Sequence, residues 1–158
     1  MKQLPELPVE LKALATATLI FAGLAILVGF LYIVVAHQGV HGYAVDVADI
    51  AALYTGPGVS VVTLVSLAHV HLLGLTALFA IVGFIFVHST LPTGSKIFWS
   101  VLPYVAFLAD VSGWFLTKLV APGFVYLVIS AGAAFIVALG SMILMSLFEL
   151  WVAPLNPP

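Results

Sequence analysis

Four long apolar stretches, at about residues 11–36, 60–87, 97–119 and 124–151, are separated by short breaks rich in polar residues, glycine and proline. Each is long enough to cross a hydrocarbon core of about 30 Å, which takes roughly 20 helical residues. A spanning segment has no water to satisfy its backbone, so each stretch predicts a helix. The first break, an outer loop over residues 39–58, contains VDVADIAALY. There Val47, Ile50, Leu53 and Tyr54 recur at helical spacing opposite Asp46 and Asp49, which predicts a short helix lying in the membrane interface. Gly56-Pro57-Gly58 turns the chain into the second span, Pro92 and Gly94 mark the next loop, and Ala121-Pro122-Gly123 is a tight turn before the last span. Pro103, inside the third span, predicts a kink or local opening. The expected fold is all-α, an integral membrane four-helix bundle made by a single transmembrane domain over residues 1–158.

Composition agrees with the pattern. With 64 % hydrophobic and 6 % charged residues and a mean hydropathy of +1.30, the chain has too little polar surface for a soluble globule. The first apolar run is too long for a cleavable signal peptide and is not followed by a small-residue cleavage site. Cysteine is absent, which excludes disulfides, covalent c-type haem and thiolate-bound clusters. Arginine is absent too, so phosphate or nucleic-acid recognition lacks its usual instrument and no nucleic-acid partner is expected. Lys2, Lys12 and Lys96 fall on one side of the predicted bundle and only Lys118 near the other. The positive-inside bias then puts both termini in the cytoplasm, and the expected location is a prokaryotic inner membrane.

The candidate chemistry is a handful of polar groups within these spans. His69 and His71 sit in the second span, where ionisable side chains are rare unless they bind or move something. On a helix, residues two apart point about 200° apart, so the two imidazoles face different neighbours. The side of His69 carries Ser66, Thr76, Ala80 and Gly83 and that of His71 carries Leu64, Leu67, Leu75, Leu78 and Val82. The smaller, more polar side predicts that His69 faces the bundle interior. Asp110, near the midpoint of the third span, lies at nearly the same depth, which predicts a His–Asp contact between these two helices. The plainer reading makes Asp110 helix glue. Trp114, one turn beyond, would pack beside it as core or against a macrocycle. His37 and His41 close the first span; one of them could fold inward to complete a bis-imidazole site, though loop histidines at an interface are usually only polar. His88 is too far along the second span to share a ligand with His69 or His71, and reads as an interface residue.

The segment from Ala68 to Pro92, AHVHLLGLTALFAIVGFIFVHSTLP, resembles the second-helix region of short membrane proteins related to subunit I of the haem-copper oxidases. The likeness rests on a His-x-His-Leu pattern followed by an aromatic-rich run and a Leu-Pro exit. It implies that His69 or His71 is an axial ligand of a low-spin haem. The later helices that carry the remaining haem and copper ligands of a full oxidase are missing, so the resemblance does not imply an oxygen-reducing site in this chain.

Three readings stand at this point. One is a haem b subunit that relays electrons within a larger respiratory or redox complex, using His69 or His71 with His37, His41 or another chain. Asp46 and Asp49 would then help dock a basic soluble cytochrome on the outer face, and Asp110 would lie on a proton path. The second is a copper site built from imidazoles and Asp110. The third is a cofactor-free accessory or assembly subunit of a membrane complex. No nucleophile with a base and orienter, no glycine-rich phosphate loop and no pair of carboxylates at one depth is evident, so the chain reads as a non-catalytic subunit of an oxidoreductase complex.

Overall fold

A computed structural model of the chain describes residues 2–36, 46–56 and 59–152, omitting the side chains of residues 33, 34 and 36. Four long helices appear where the apolar stretches predict them: α1 (Val9–Ala36), α3 (Val61–Phe86), α4 (Thr93–Leu119) and α5 (Val125–Trp151). The short α2 (Val47–Thr55) lies between the first two. No strand occurs among the described residues. All four long helices are long and apolar enough to cross a bilayer. The chain is an all-helical integral membrane protein.

Helix ends follow local chemistry. Ser60 caps α3, its hydroxyl accepting from the Thr63 backbone N–H at 3.0 Å. Asp46 caps α2 by accepting from the Asp49 N–H at 2.8 Å, and Asp49 returns the favour to the Asp46 N–H at 3.3 Å. Each acid therefore satisfies a donor that the first turn of a helix leaves unpaired. The third span begins four residues earlier than the apolar pattern suggests, because Pro92 is compatible with a helix start and Thr93 to Lys96 extend the helix beyond the apolar segment. Helix α4 runs unbroken through Pro103, which is buried.

Helix α5 is the spine of the bundle and touches each of the other three spans, while α1 packs on α5 and α3. The tightest pairing is α4 on α5. Gly113 makes it possible: a Cβ there would lie 2.8 Å from Val128 Cγ2 and 3.2 Å from the Val128 backbone nitrogen. Between lipid-facing helices such close approach of small residues supplies the packing attraction that water would otherwise drive. Three spans converge on Phe79, Phe107 and Phe135, whose ring centroids lie 5.9–6.0 Å apart. This aromatic layer separates two ends of the bundle with different polar content.

Candidate functional site

At one end several polar bonds tie elements together, although the hydroxyls of Ser89, Ser100 and Ser146 there are buried without a hydrogen-bond partner among the described residues. The N-terminal turn Leu4–Glu6 is pinned to the end of α3 by the Leu4 N–H, which donates to the His88 carbonyl at 2.8 Å. Glu149, near the end of α5, accepts from the Thr90 backbone N–H at 2.7 Å and from the Thr90 hydroxyl at 3.0 Å. Trp151 Nε1 donates to Thr16 Oγ1 at 2.9 Å, and Lys12 Nζ sits 5.7 Å from the Trp151 ring centroid. Sequence reasoning passed over Glu149, although it is the only acid in the last span; its partner Thr90 lies 59 residues away and gives no local signal.

The other end holds the predicted site. Asp110, Gly113, Trp114 and Thr117 follow one another at helical spacing on the buried side of α4. Asp110 is aimed at α5, its Oδ1 lying 3.9 Å from the point a Gly132 Cβ would occupy. No described histidine hydrogen-bonds to it, so the expected His–Asp pair between α3 and α4 is not formed. The reason is packing: α4 rests mainly on α5, and a glycine there leaves room for a carboxyl. Trp114 Nε1 and Thr117 Oγ1 are buried without a hydrogen-bond partner among the described residues. Trp114 is part of the packed core. Helix α2 docks over this region against α4 and α5, stacking Tyr54 on Trp114 with centroids 6.0 Å apart and planes 21° apart. Burial pushes the Tyr54 phenol well above its usual pKa, and the negative charge of Asp110 adds to the shift. The helix expected in the interface is thus anchored into the bundle by one aromatic.

The two histidines of α3 exchange the roles expected from composition. The buried and half-buried positions of α3 run through Leu64, Ala68, Leu75, Leu78, Phe79, Val82 and Phe86, and His71 falls on that line between Ala68 and Leu75. It is His71, not His69, that turns toward α4, its ring meeting Trp114 edge-on at 5.5 Å. Yet His71 is exposed, because this half of α3 stands off from its neighbours; Leu67, Val70 and Leu72 beside it are exposed as well. His71 Nδ1 lies 2.8 Å from the Leu67 carbonyl oxygen. A carbonyl only accepts, so Nδ1 carries a proton, and in the neutral ring Nε2 is then the nitrogen with the lone pair. His69 is exposed on the opposite side of the helix. His88 repeats the arrangement of His71, its Nδ1 donating to the Phe84 carbonyl at 2.8 Å. His37 and His41 lie outside the described residues. Among the described residues no group of three or more His, Asp or Glu side chains is gathered to hold a metal ion.

A family model described as a transmembrane helical domain, Aq_1264_TM, matches residues 56–156. The chain belongs to that family. No curated protein and no solved structure matches the chain. The part of this Aq_1264_TM member that the family model matches takes in α3, α4 and α5. His69, His71, His88, Asp110 and Glu149 therefore lie inside the matched region, and Tyr54, His37, His41, Asp46 and Asp49 lie before it. The two helices left out, α1 and α2, are the ones that contribute least to the α4–α5 core.

Proposed function

We propose that this chain carries haem b in the membrane and relays electrons within a larger redox complex, with His71 as an axial ligand. One observation carries the reading: an imidazole on the inward line of α3 is left uncovered, with Nδ1 committed to Leu67 and Nε2 free. A second contact that fixes tautomer and ring orientation is the usual support for a ligating histidine. The residues present fit the group in part. His71 supplies one ligand and the edge of Trp114 an aromatic wall, and a porphyrin needs no covalent link to the absent cysteines. His69 faces away from this side and His88 is about 25 Å along the helix at 1.5 Å per residue, so the second axial position falls to His37, His41 or another chain. Bound there, the haem supplies a one-electron carrier; the chain supplies the ligand, the apolar surroundings and the depth.

The finer parts of the proposal follow from charge. The positive-inside bias of Lys2, Lys12 and Lys96 supports a cytoplasmic Glu149 end, and the membrane under this reading is a prokaryotic inner membrane. Asp46 remains exposed although it caps α2, and with Asp49 it marks the opposite face for a basic soluble cytochrome. The copper reading has less support, since no described cluster offers three ligands. A reduced-minus-oxidised absorption spectrum of the purified protein tests the proposal. A Soret difference retained in His69→Ala and lost in His71→Ala is expected. A colourless preparation, or a spectrum that survives His71→Ala, overturns it; colourless protein with stoichiometric copper would favour the metal, and colourless metal-free protein an accessory subunit.

A further inference from the structure

We propose that the outward face of α3 around His69 is the contact between two copies of this chain in the membrane. Val62, Ser66, His69, Leu73 and Thr76 recur at helical spacing on one side of α3, and all five are exposed; Ala80, next on the same line, borders the groove between α3 and α1. His69 lies eight residues from the start of α3, about 12 Å along its axis. That is too deep for so short a side chain to reach the headgroups as lysine and arginine do. Thr16, Thr18, Ser112 and Ser130 quiet their hydroxyls on carbonyls of their own helices. Ser66, His69 and Thr76 make no side-chain hydrogen bond among the described residues. Lipid tails cannot supply one, whereas a facing helix can.

The chemistry of the face points to a second copy. A neutral imidazole has one donor and one acceptor, and a hydroxyl has both, so the face complements itself in hydrogen bonding. It bears no formal charge of one sign that would call for an oppositely charged partner. Two copies inserted with the same topology are related by an axis along the membrane normal, so equivalent residues sit at equal depth. His69 of one copy then meets the His69 level of its mate without any sliding, and the same holds for Ser66 and Thr76. Such an interface is isologous and closes as a dimer. Ser66 and Thr76 are small enough for the two backbones to approach. The inference uses the side of α3 opposite His71 and stands whether or not the chain carries haem.

The absence of cysteine makes the test direct. Leu73→Cys places one thiol on the proposed contact, and Leu24→Cys places one on α1, both at exposed positions near the middle of their spans. Oxidation with copper phenanthroline in native membranes is expected to give a covalent dimer from Leu73→Cys and little from Leu24→Cys. Adding His69→Leu should lower the Leu73→Cys dimer about five-fold or more, and His69→Gln should restore much of it. Insertion and monodispersity of the His69→Leu protein are checked by gel filtration in detergent, so that lost folding is not read as lost contact. Equal dimer from both thiols, no dimer from Leu73→Cys, or a yield unchanged by His69→Leu overturns the proposal; the second result would mean that a different subunit or lipid covers this face.

Discussion

Glu149 and Asp110 are buried almost equally, at 7 % and 6 % exposure, yet the bundle treats them in opposite ways. Glu149 closes a joint. Its two oxygens take the backbone N–H and the hydroxyl of Thr90, fastening the α3–α4 loop to the end of α5 beside the Leu4–His88 and Trp151–Thr16 bonds. Asp110 faces a glycine on α5 and has the Trp114 indole, one turn along its own helix, as its polar neighbour, in a contact short of full hydrogen-bond geometry; Thr117 Oγ1 beyond it is unpartnered among the described residues. Burial alone is therefore a poor guide to what a polar group does in a membrane bundle. A carboxyl whose acceptors join two distant elements holds the fold together, while one whose polar neighbour is on its own helix adds little to the tertiary structure.

The same substitution at the two sites should separate these roles by size. Glu149→Leu strands the Thr90 N–H and hydroxyl and is expected to destabilise by about 3 kcal/mol, read as a lower midpoint in SDS or thermal unfolding in micelles. Thr90→Val added to Glu149→Leu should then cost little more, because the partners have already lost one another. Second in size is Gly113→Val. Branched carbons placed where even a Cβ would lie 2.8 Å from Val128 Cγ2 force α4 from α5, at about 2 kcal/mol. A Gly113→Val protein as stable as the parent would show that the α4–α5 seam yields, and the contrast between a tight hairpin and a looser α1 and α3 would fail.

How far the chain announces this arrangement differs by level. The four spans and the short helix were readable because length and hydropathy decide what lipid accepts, and the turns were readable from Gly56, Pro92 and Pro122. The inward faces were not. In water a small polar side of a helix faces out and an apolar side faces in; in lipid both environments are apolar, so the smaller, more polar side with His69 was expected inside, whereas Leu64 and Val82 on the His71 side are the core. The direction of Asp110 depended on Gly132, a residue on another helix, and the pairing of Glu149 with Thr90 on a loop two spans away. Asp46 and Asp49 showed a charge pattern, but their spacing of three also carries the capping box that starts α2, a local signal that was available.

The smallest expected change is the most telling. Asp110→Leu removes a buried carboxyl that loses no described hydrogen bond, and the open space over Gly132 receives the larger side chain. A change of no more than about 1 kcal/mol is expected, because the desolvation cost released with the carboxyl offsets the loss of its contact with the Trp114 indole on the same helix. Asp110→Asn controls for shape: it keeps the volume and the polarity, and its midpoint should stay within about 0.5 kcal/mol of the parent. If both variants instead lose stability as Glu149→Leu does, Asp110 is bonded as tightly as its counterpart and the two ends of the bundle are built alike. If Asp110→Leu gains stability, the carboxyl is kept at a cost, and an intramembrane carboxyl kept at a cost is the group to follow in any measurement of proton uptake on reduction.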